Sequence, residues 1–323
     1  MLFLSISASA ICEEPFIDWD NLPNPQYSHE GWSTKDACMV YHNDTFYIFF
    51  SAFYWDDGRE RSHVTGVKTK DFRTFSDPLF LWHGRDEGWI GVCSPNITKV
   101  GDTFYLTYNS WGDKRGKFNQ LFYATSKDLE NWEHKKPLAR NVTKGFRAID
   151  AAMAYEGGKY YVTWKQRVFG KDCFRMACAD SMEGPFEYAG HGYARFLMPS
   201  GVENGLIHEN FEFIKIDGRW HVLVTDYRPE PHAPYIYRME GSGMEPEDWL
   251  KWVDGRKIDI AMEPFNTEHQ ANASFLADWR DKDGFFYLLY AGRTEDRSHA
   301  GRGDNKLGLS RSTDLINWFI PGK

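Results

Sequence analysis

The chain lacks a long apolar run, a basic excess, a paired C-x-x-C cysteine motif and a Pro/Gly/Ser-rich linker. Each absence closes off a class. A bilayer-spanning helix needs about 20 consecutive apolar residues, and no such stretch is present. A net charge of −8 argues against a nucleic-acid binder, which needs a basic face. The five cysteines, Cys12, Cys38, Cys93, Cys173 and Cys178, are an odd count without metal-like spacing. They speak against a sulfur-ligated zinc site and for buried thiols. Without a linker, residues 11–323 read as one domain. Leu- and Ala-rich windows are few, so long helices are not expected.

Aromatic residues are plentiful. They make up 17% of the chain, with 13 Trp and 17 Tyr, and 28 Gly accompany them. That mixture favours short strands and tight turns. The first ten residues are apolar and end in Ala8-Ser9-Ala10, like the close of a secretory signal. Export to the periplasm or the medium is therefore the expectation, with residues 1–10 as a clipped signal segment.

A repeat dominates the pattern. Asp36 precedes Tyr47 by eleven residues, as do Ser94 and Tyr105, Asp150 and Tyr161, and Glu209 and Trp220. A looser fifth copy runs from Asn272 to Tyr287, and the starts lie 58, 56, 59 and 63 residues apart. Each copy continues through a tight turn such as Asn43-Asp44 or Asp217-Gly218, then an alternating aromatic strand, then a third strand. Three copies close on an acidic residue and an aromatic, as in Asp71 to Phe75, Asp128 to Trp132 and Asp314 to Trp318. A period near 59 with about four short strands per unit predicts an all-β, five-bladed propeller. Part of the segment ahead of residue 33 is expected to complete the last blade.

The innermost strand of each propeller blade lines the axis. The eleven-residue register therefore places Asp36, Ser94, Asp150, Glu209 and Asn272 at equivalent inner-strand starts, facing one mouth. Three carboxylates at one mouth repel, and at least one should hold its proton more tightly. Such divergence lets a site keep one acid protonated and another ionised at the same pH.

On these residues the chain resembles glycoside hydrolase family 43 and its propeller relatives. The resemblance rests on Lys35-Asp36-Ala37 with Phe46-Tyr47, on Ile149-Asp150-Ala151 with Gly158 to Tyr161, and on Glu209 with Gly218 and the strand after it. It spans residues 33 to 319. It implies an inverting exo-glycosidase, with Asp36 as the base that activates water, Glu209 as the acid and Asp150 as the group that tunes the acid. Inversion needs acid and base roughly 6.5–9.5 Å apart. The chain departs from the family in having Ala37 and Ala151 where Pro is common after the Asp. His208-Glu209 is similar to family 117, the 3,6-anhydro-L-galactosidases, and makes His208 a second candidate acid. Alternation along the strand equally places His208 on the opposite side. The resemblance also implies that His269 lies near the axis and holds a calcium or other divalent cation; no cofactor is required for the chemistry.

Sugar sites need flat apolar faces and forked donors. Trp111, Trp164, Arg147 and Arg228 are the candidates, with Ser94 and Asn272 as polar contacts. The expected partner is a plant or algal oligosaccharide, cleaved by an arabinofuranosidase, xylosidase, galactosidase or anhydro-galactosidase activity. A glycoside phosphorylase needs Arg, Lys or His for phosphate in place of a base. A carbohydrate-binding propeller without turnover would not need three intact acids.

Overall fold

The computed structural model describes residues 15–112, 117–168, 170–204, 208–227, 232–268, 270–294 and 304–322. The signal-like segment, Cys12, Arg228 and His269 lie outside them. No helix among the described residues is long and apolar enough to cross a membrane.

Turn chemistry sets the strands. Asn43-Asp44, Gly157-Gly158 and Asp217-Gly218 all have positive φ at both positions. Each joins strands whose last paired residues flank it directly: His42 and Thr45, Glu156 and Lys159, Ile216 and Arg219. Two left-handed residues make the turn whose twist matches that of the strands.

The strands group into mainly antiparallel units. The first holds β1 (Ser33–His42), β2 (Thr45–Asp56), β3 (Arg59–Thr69) and β4 (Leu81–His83). The second holds β5 (Gly91–Val100), β6 (Thr103–Trp111), β7 (Leu121–Ser126) and β8 (Glu133–Pro137). The third holds β9 (Ala148–Glu156), β10 (Lys159–Val168), β11 (Lys171–Ala179) and β12 (Glu187–Tyr188). In the fourth, β13 (Arg195–Phe196) lies outside β14 (His208–Ile216), β15 (Arg219–Asp226), β16 (Ala233–Met239) and β17 (Lys251–Lys257). The fifth holds β18 (Ser274–Trp279), β19 (Phe285–Arg293) and β20 (Asn305–Ser312). A single bridge, Ser62 to Gly91, ties the first two units together.

The inner strands close a ring. β1 touches β5, β5 touches β9, β9 touches β14, β14 touches β18, and β18 touches β1. A sandwich would not give this cyclic neighbourhood; a propeller does. The seams are aromatic. Trp132 of the second unit stands edge-on to Phe49 of the first at 5.5 Å, and Tyr161 of the third stacks on Trp249 of the fourth at 4.2 Å. Both described ends of the chain meet on the fifth unit, where Tyr27 bridges Leu307 and Phe319 bridges Arg311.

The closing turn is built three times alike. Ser126 Oγ accepts from the N–H of Leu129, and Asp128 Oδ1 accepts from the N–H groups of Glu130 and Asn131. Thr69 with Asp71, and Ser312 with Asp314, repeat it. The turn puts Phe72, Leu129 and Leu315 at positive φ.

Candidate functional site

Each of the first four inner strands carries a β-bulge near its start, seen as a break in register: Lys35 to Cys38, Cys93 to Asn96, Thr163 to Lys165 opposite β9, and Glu209 to Glu212. The bulge residues Asp36, Ser94, Asp150 and Asn210 have φ of 53, 56, 55 and 53. Ala273, just ahead of β18, has φ 88 and holds the corresponding place in the fifth unit. Left-handed non-glycine residues cost of order 1–3 kcal/mol each and cluster at functional sites. These five and the residues after them line a narrow cavity on the axis, with room for about one water.

This corrects the register in two units. Glu209 and Asn272 are not equivalent to Asp36; Asn210 and Ala273 are. The partners of the aromatic strands prove it. Tyr47 pairs with Val40, Tyr161 with Ala154 and Tyr287 with Ala277, each four residues after the left-handed position. In the fourth unit the pair four residues beyond Asn210 is Ile214 with His221, not Trp220. Trp220 is an aromatic on the alternate face, and counting from it displaced the register by one. The true counterparts of Glu209 and Asn272 are Lys35, Cys93 and Ile149. The inner strands therefore contribute two adjacent rings of residues.

A third ring comes from the second strands. Ser51, Asn109, Lys165 and Thr225 each stand fifteen residues after the left-handed residue of their own unit. The first three reach forward to the next unit. Ser51 Oγ accepts from Ser94 N–H at 2.8 Å, and Asn109 Oδ1 accepts from Asp150 N–H at 2.9 Å. Lys165 has no acceptor to offer, and its ammonium pairs instead with Glu209 Oε1. Thr225 Oγ1 is buried without a partner.

The carboxyl groups are held differently. Asp36 Oδ2 accepts from Ser51 Oγ at 2.7 Å. Asp36 Oδ1 accepts from Asn210 Nδ2 at 2.9 Å and lies 3.3 Å from Lys35 Nζ. Asp150 Oδ1 accepts from Ser94 Oγ at 2.7 Å, while Asp150 Oδ2 is buried with no partner. Glu209 is the accessible one, with a side chain 21% exposed against 3% for Asp36. Lys35 Nζ donates to Tyr227 Oη at 2.5 Å, and Tyr227 Oη donates to Asn272 Oδ1 at 2.9 Å.

Proton affinities diverge accordingly. Burial, reinforced by the charge of Glu209, pushes the Asp150 carboxyl above the usual carboxylate range. Burial also pushes Glu209 up, but the charges of Lys165 and Lys35 and the hydrogen bond from Lys165 outweigh it and hold it down. Burial works against the Lys35 ammonium, and Asp36, Tyr227 and Glu209 more than restore it. The divergence of Asp150 and Glu209 is the pattern that supports acid–base chemistry.

The remaining candidates fall into place. His208 is fully buried among Phe174, Phe196 and Tyr237, with Nε2 3.2 Å from Tyr237 Oη. Burial and then Lys165 push it down to about 3, so it is neutral, and its ring lies against Phe174, Phe196 and Tyr237, against its reading as an acid. Trp164 is wholly buried in the third unit, its indole N–H donating to Gln166, so it offers no face to a sugar. Ser94 and Asn272, both buried, orient Asp150 and Tyr227. Trp111 is half-buried at the mouth end of β6, edge-on to Phe53 at 5.2 Å, two residues beyond Asn109. Arg147 stands half-buried just ahead of β9. The cation expected at His269 falls outside the description, and no group of three or more His, Cys, Asp or Glu among the described residues is placed to hold a metal.

Lys35, Ser51, Asn109, Lys165, Asn210 and Tyr227 were missed from sequence. A second spacing, fifteen residues from the bulge, would have found Ser51, Asn109 and Lys165.

No protein-family model matches the chain. It is 21% identical to a 1,2-β-oligomannan phosphorylase of Thermoanaerobacter sp. (strain X514), over 84% of this chain and 90% of that protein. It is 24% identical to a β-1,2-mannobiose phosphorylase of the same strain, over 43% of this chain and 49% of that one. The chain thus spans about half the length of the latter. Among solved structures, a thermostable family-43 glycoside hydrolase shares the fold with a TM-score of 0.61 and 13% identity, over 92% of this chain and 96% of that one. An α-L-arabinofuranosidase from Lactobacillus brevis does so with a TM-score of 0.63 and 11% identity, over 94% and 99%.

Proposed function

From a fold of the family 43 glycosidase type, we propose that the protein cleaves the glycosidic bond of a terminal sugar in an oligosaccharide. The carrying observation is that Asp36, Asp150 and Glu209, from three different units, come together, and that Asp150 and Glu209 are shifted in opposite directions. One carboxyl poised to give a proton and another to take one is what glycoside cleavage requires. In the leading reading water attacks, the anomeric centre inverts, and the product is a free monosaccharide. Trp111 and Arg147 contact the sugar at the mouth. The N-terminal pattern supports an exported enzyme.

A second reading is favoured by one feature. Lys35 and Lys165 are nearly buried beside the carboxyl groups, and two cations are what an attacking phosphate needs. The two Thermoanaerobacter relatives are named as phosphorylases. In this reading inorganic phosphate replaces water and the product is a sugar 1-phosphate.

One experiment decides between them. Arabino-, xylo-, galacto-, neoagaro- and β-1,2-manno-oligosaccharides are incubated with the protein, with and without inorganic phosphate, and followed by proton NMR. Free monosaccharide in both conditions supports hydrolysis. Product only with phosphate supports phosphorolysis. Turnover undiminished in Glu209→Gln and Asp150→Asn overturns both.

A further inference from the structure

The repeat makes Lys165 conspicuous. Its counterparts Ser51 and Asn109 serve the backbone, each accepting the N–H of the next unit's left-handed residue. Lys165 breaks that grammar. Its side chain is 4% exposed, and its ammonium lies between two carboxylates, paired with Glu209 and 3.5 Å from Asp172 Oδ2. Asp172 is itself paired with Arg167. A buried lysine placed between two acids is costly to desolvate, and its retention calls for a use.

We propose that Lys165 is a positioning residue that decides which of Asp150 and Glu209 holds the proton at this site. The inference rests on the glycoside-cleaving reading for its purpose, not for its test. With Lys165 on Glu209, the Glu209 carboxylate is satisfied. Asp150 then has one oxygen fixed by Ser94 and the other buried without a donor. A buried oxygen without a donor is far better carried as a protonated acid than as a carboxylate. This arrangement stores its proton on Asp150. Movement of the ammonium toward Asp172 removes the main charge that keeps Glu209 ionised, and the proton then favours Glu209, the more accessible of the two. No proton is created or lost; it passes from the Asp150 carboxyl to the Glu209 carboxylate. The titratable and charged groups around the pair are Lys35, Asp36, Cys93, Tyr227, His232 and Lys165. Lys35 is held by Asp36 and Tyr227 within the site, whereas Lys165 has Asp172, a carboxylate outside it, within reach.

The test reads protons directly and needs no substrate. Carbonyl infrared titration of the intact protein, with isotope-labelled aspartate or glutamate, identifies each carboxyl. An aspartic acid that keeps its proton up to about pH 6, well above the ordinary aspartate range, absent in Asp150→Asn and present in Glu209→Gln, is expected. In Asp150→Asn the glutamate should titrate at acid pH. In the double variant Asp150→Asn with Lys165→Met it should titrate at least ten-fold more weakly acidic, and Lys165→Arg in place of Met should restore the acid value. The arginine variant guards against a folding defect in the methionine one. A neutral Glu209 in the unaltered protein, or a Glu209 indifferent to Lys165→Met, overturns the proposal. If these titrations behave as stated while no oligosaccharide is cleaved, the functional reading fails and this one stands.

Discussion

Lys165 on β10 and Glu209 on β14 form an ion pair across the seam between the third and fourth units, and the lysine is almost sealed from water. Removing one partner of a buried pair strands the other. Lys165→Met should therefore destabilise the fold by about 3–5 kcal/mol at neutral pH. The sign of its pH dependence follows from Glu209. Its proton affinity is lowered in the fold, so its stabilisation is present above the ordinary glutamate range and lost as pH falls. Urea unfolding at neutral and at acid pH checks this: the gap between the two proteins should narrow in acid. A gap that stays constant would mean that the lysine acts through packing alone.

An amide keeps the shape of Asp36, Asp150 and Glu209 and one accepting oxygen, but no charge. Asp36→Asn, Asp150→Asn and Glu209→Gln should reach the native fold, Glu209→Gln less stably because Lys165 loses its partner, and lose about 10²- to 10⁴-fold in turnover, the usual share of a general acid or base. Circular dichroism and the rate of sugar release measure the two halves of the claim. Full activity in any one of them removes that residue from the chemistry.

Ser51 serves two units at once. Its hydroxyl donates to Asp36 and accepts from Ser94 N–H, and it is completely buried. Ser51→Ala leaves a backbone donor and a carboxylate oxygen without this partner, which should cost about 1–3 kcal/mol for each. Activity should fall as well, because Asp36 loses the group that fixes its rotamer. Unchanged thermal unfolding would show that water replaces the hydroxyl.

The fold was legible because its signals are redundant. Turns such as Asn43-Asp44 and Asp217-Gly218, alternating aromatic strands and the Asp-Leu-x-x-Trp close recur at one period, and a ring of five inner strands is their joint consequence. Asp36, Ser94 and Asp150 were found at their true positions by the same redundancy. The fourth unit misled because the spacing was anchored on an aromatic of the alternate face, and the fifth because a helical turn at Arg280–Asp283 lengthens the spacing to Tyr287. Strand faces alternate, so taking Trp220 for the counterpart of Tyr47 slips the register by one residue. Glu209 was still found, since the residue before a bulge also reaches this mouth. Lys35 and Lys165 were invisible for a different reason: a lysine in an aromatic strand reads as a solvated edge until its partners are seen. Trp164 shows the converse, a tryptophan whose strand position is compatible with either a sugar platform or a core, and which the third unit buries.

The N-terminal segment fastens the ring, and its contribution can be separated into backbone and side chain. Tyr27 N–H donates to Leu307 O, Tyr27 O accepts from Leu307 N–H, and the ring of Tyr27 packs on Phe50 at 5.3 Å and Phe75 at 5.0 Å. Ahead of it, Ile17, Trp19 and Leu22 are buried in the same core as β1 and β19. Tyr27→Ala keeps the bridge and removes the aromatic contacts. Tyr27→Pro also removes the donor, leaving Leu307 O to Gln26 N–H alone, and disfavours the extended bridge. Both should lower the melting temperature, the proline variant by more. The drop should be a single transition, because the fifth unit cannot open without breaking β18 from β1. Two resolved transitions in calorimetry would show that the fifth unit unfolds alone, and that closure of the ring depends on inner-strand contacts rather than on this segment.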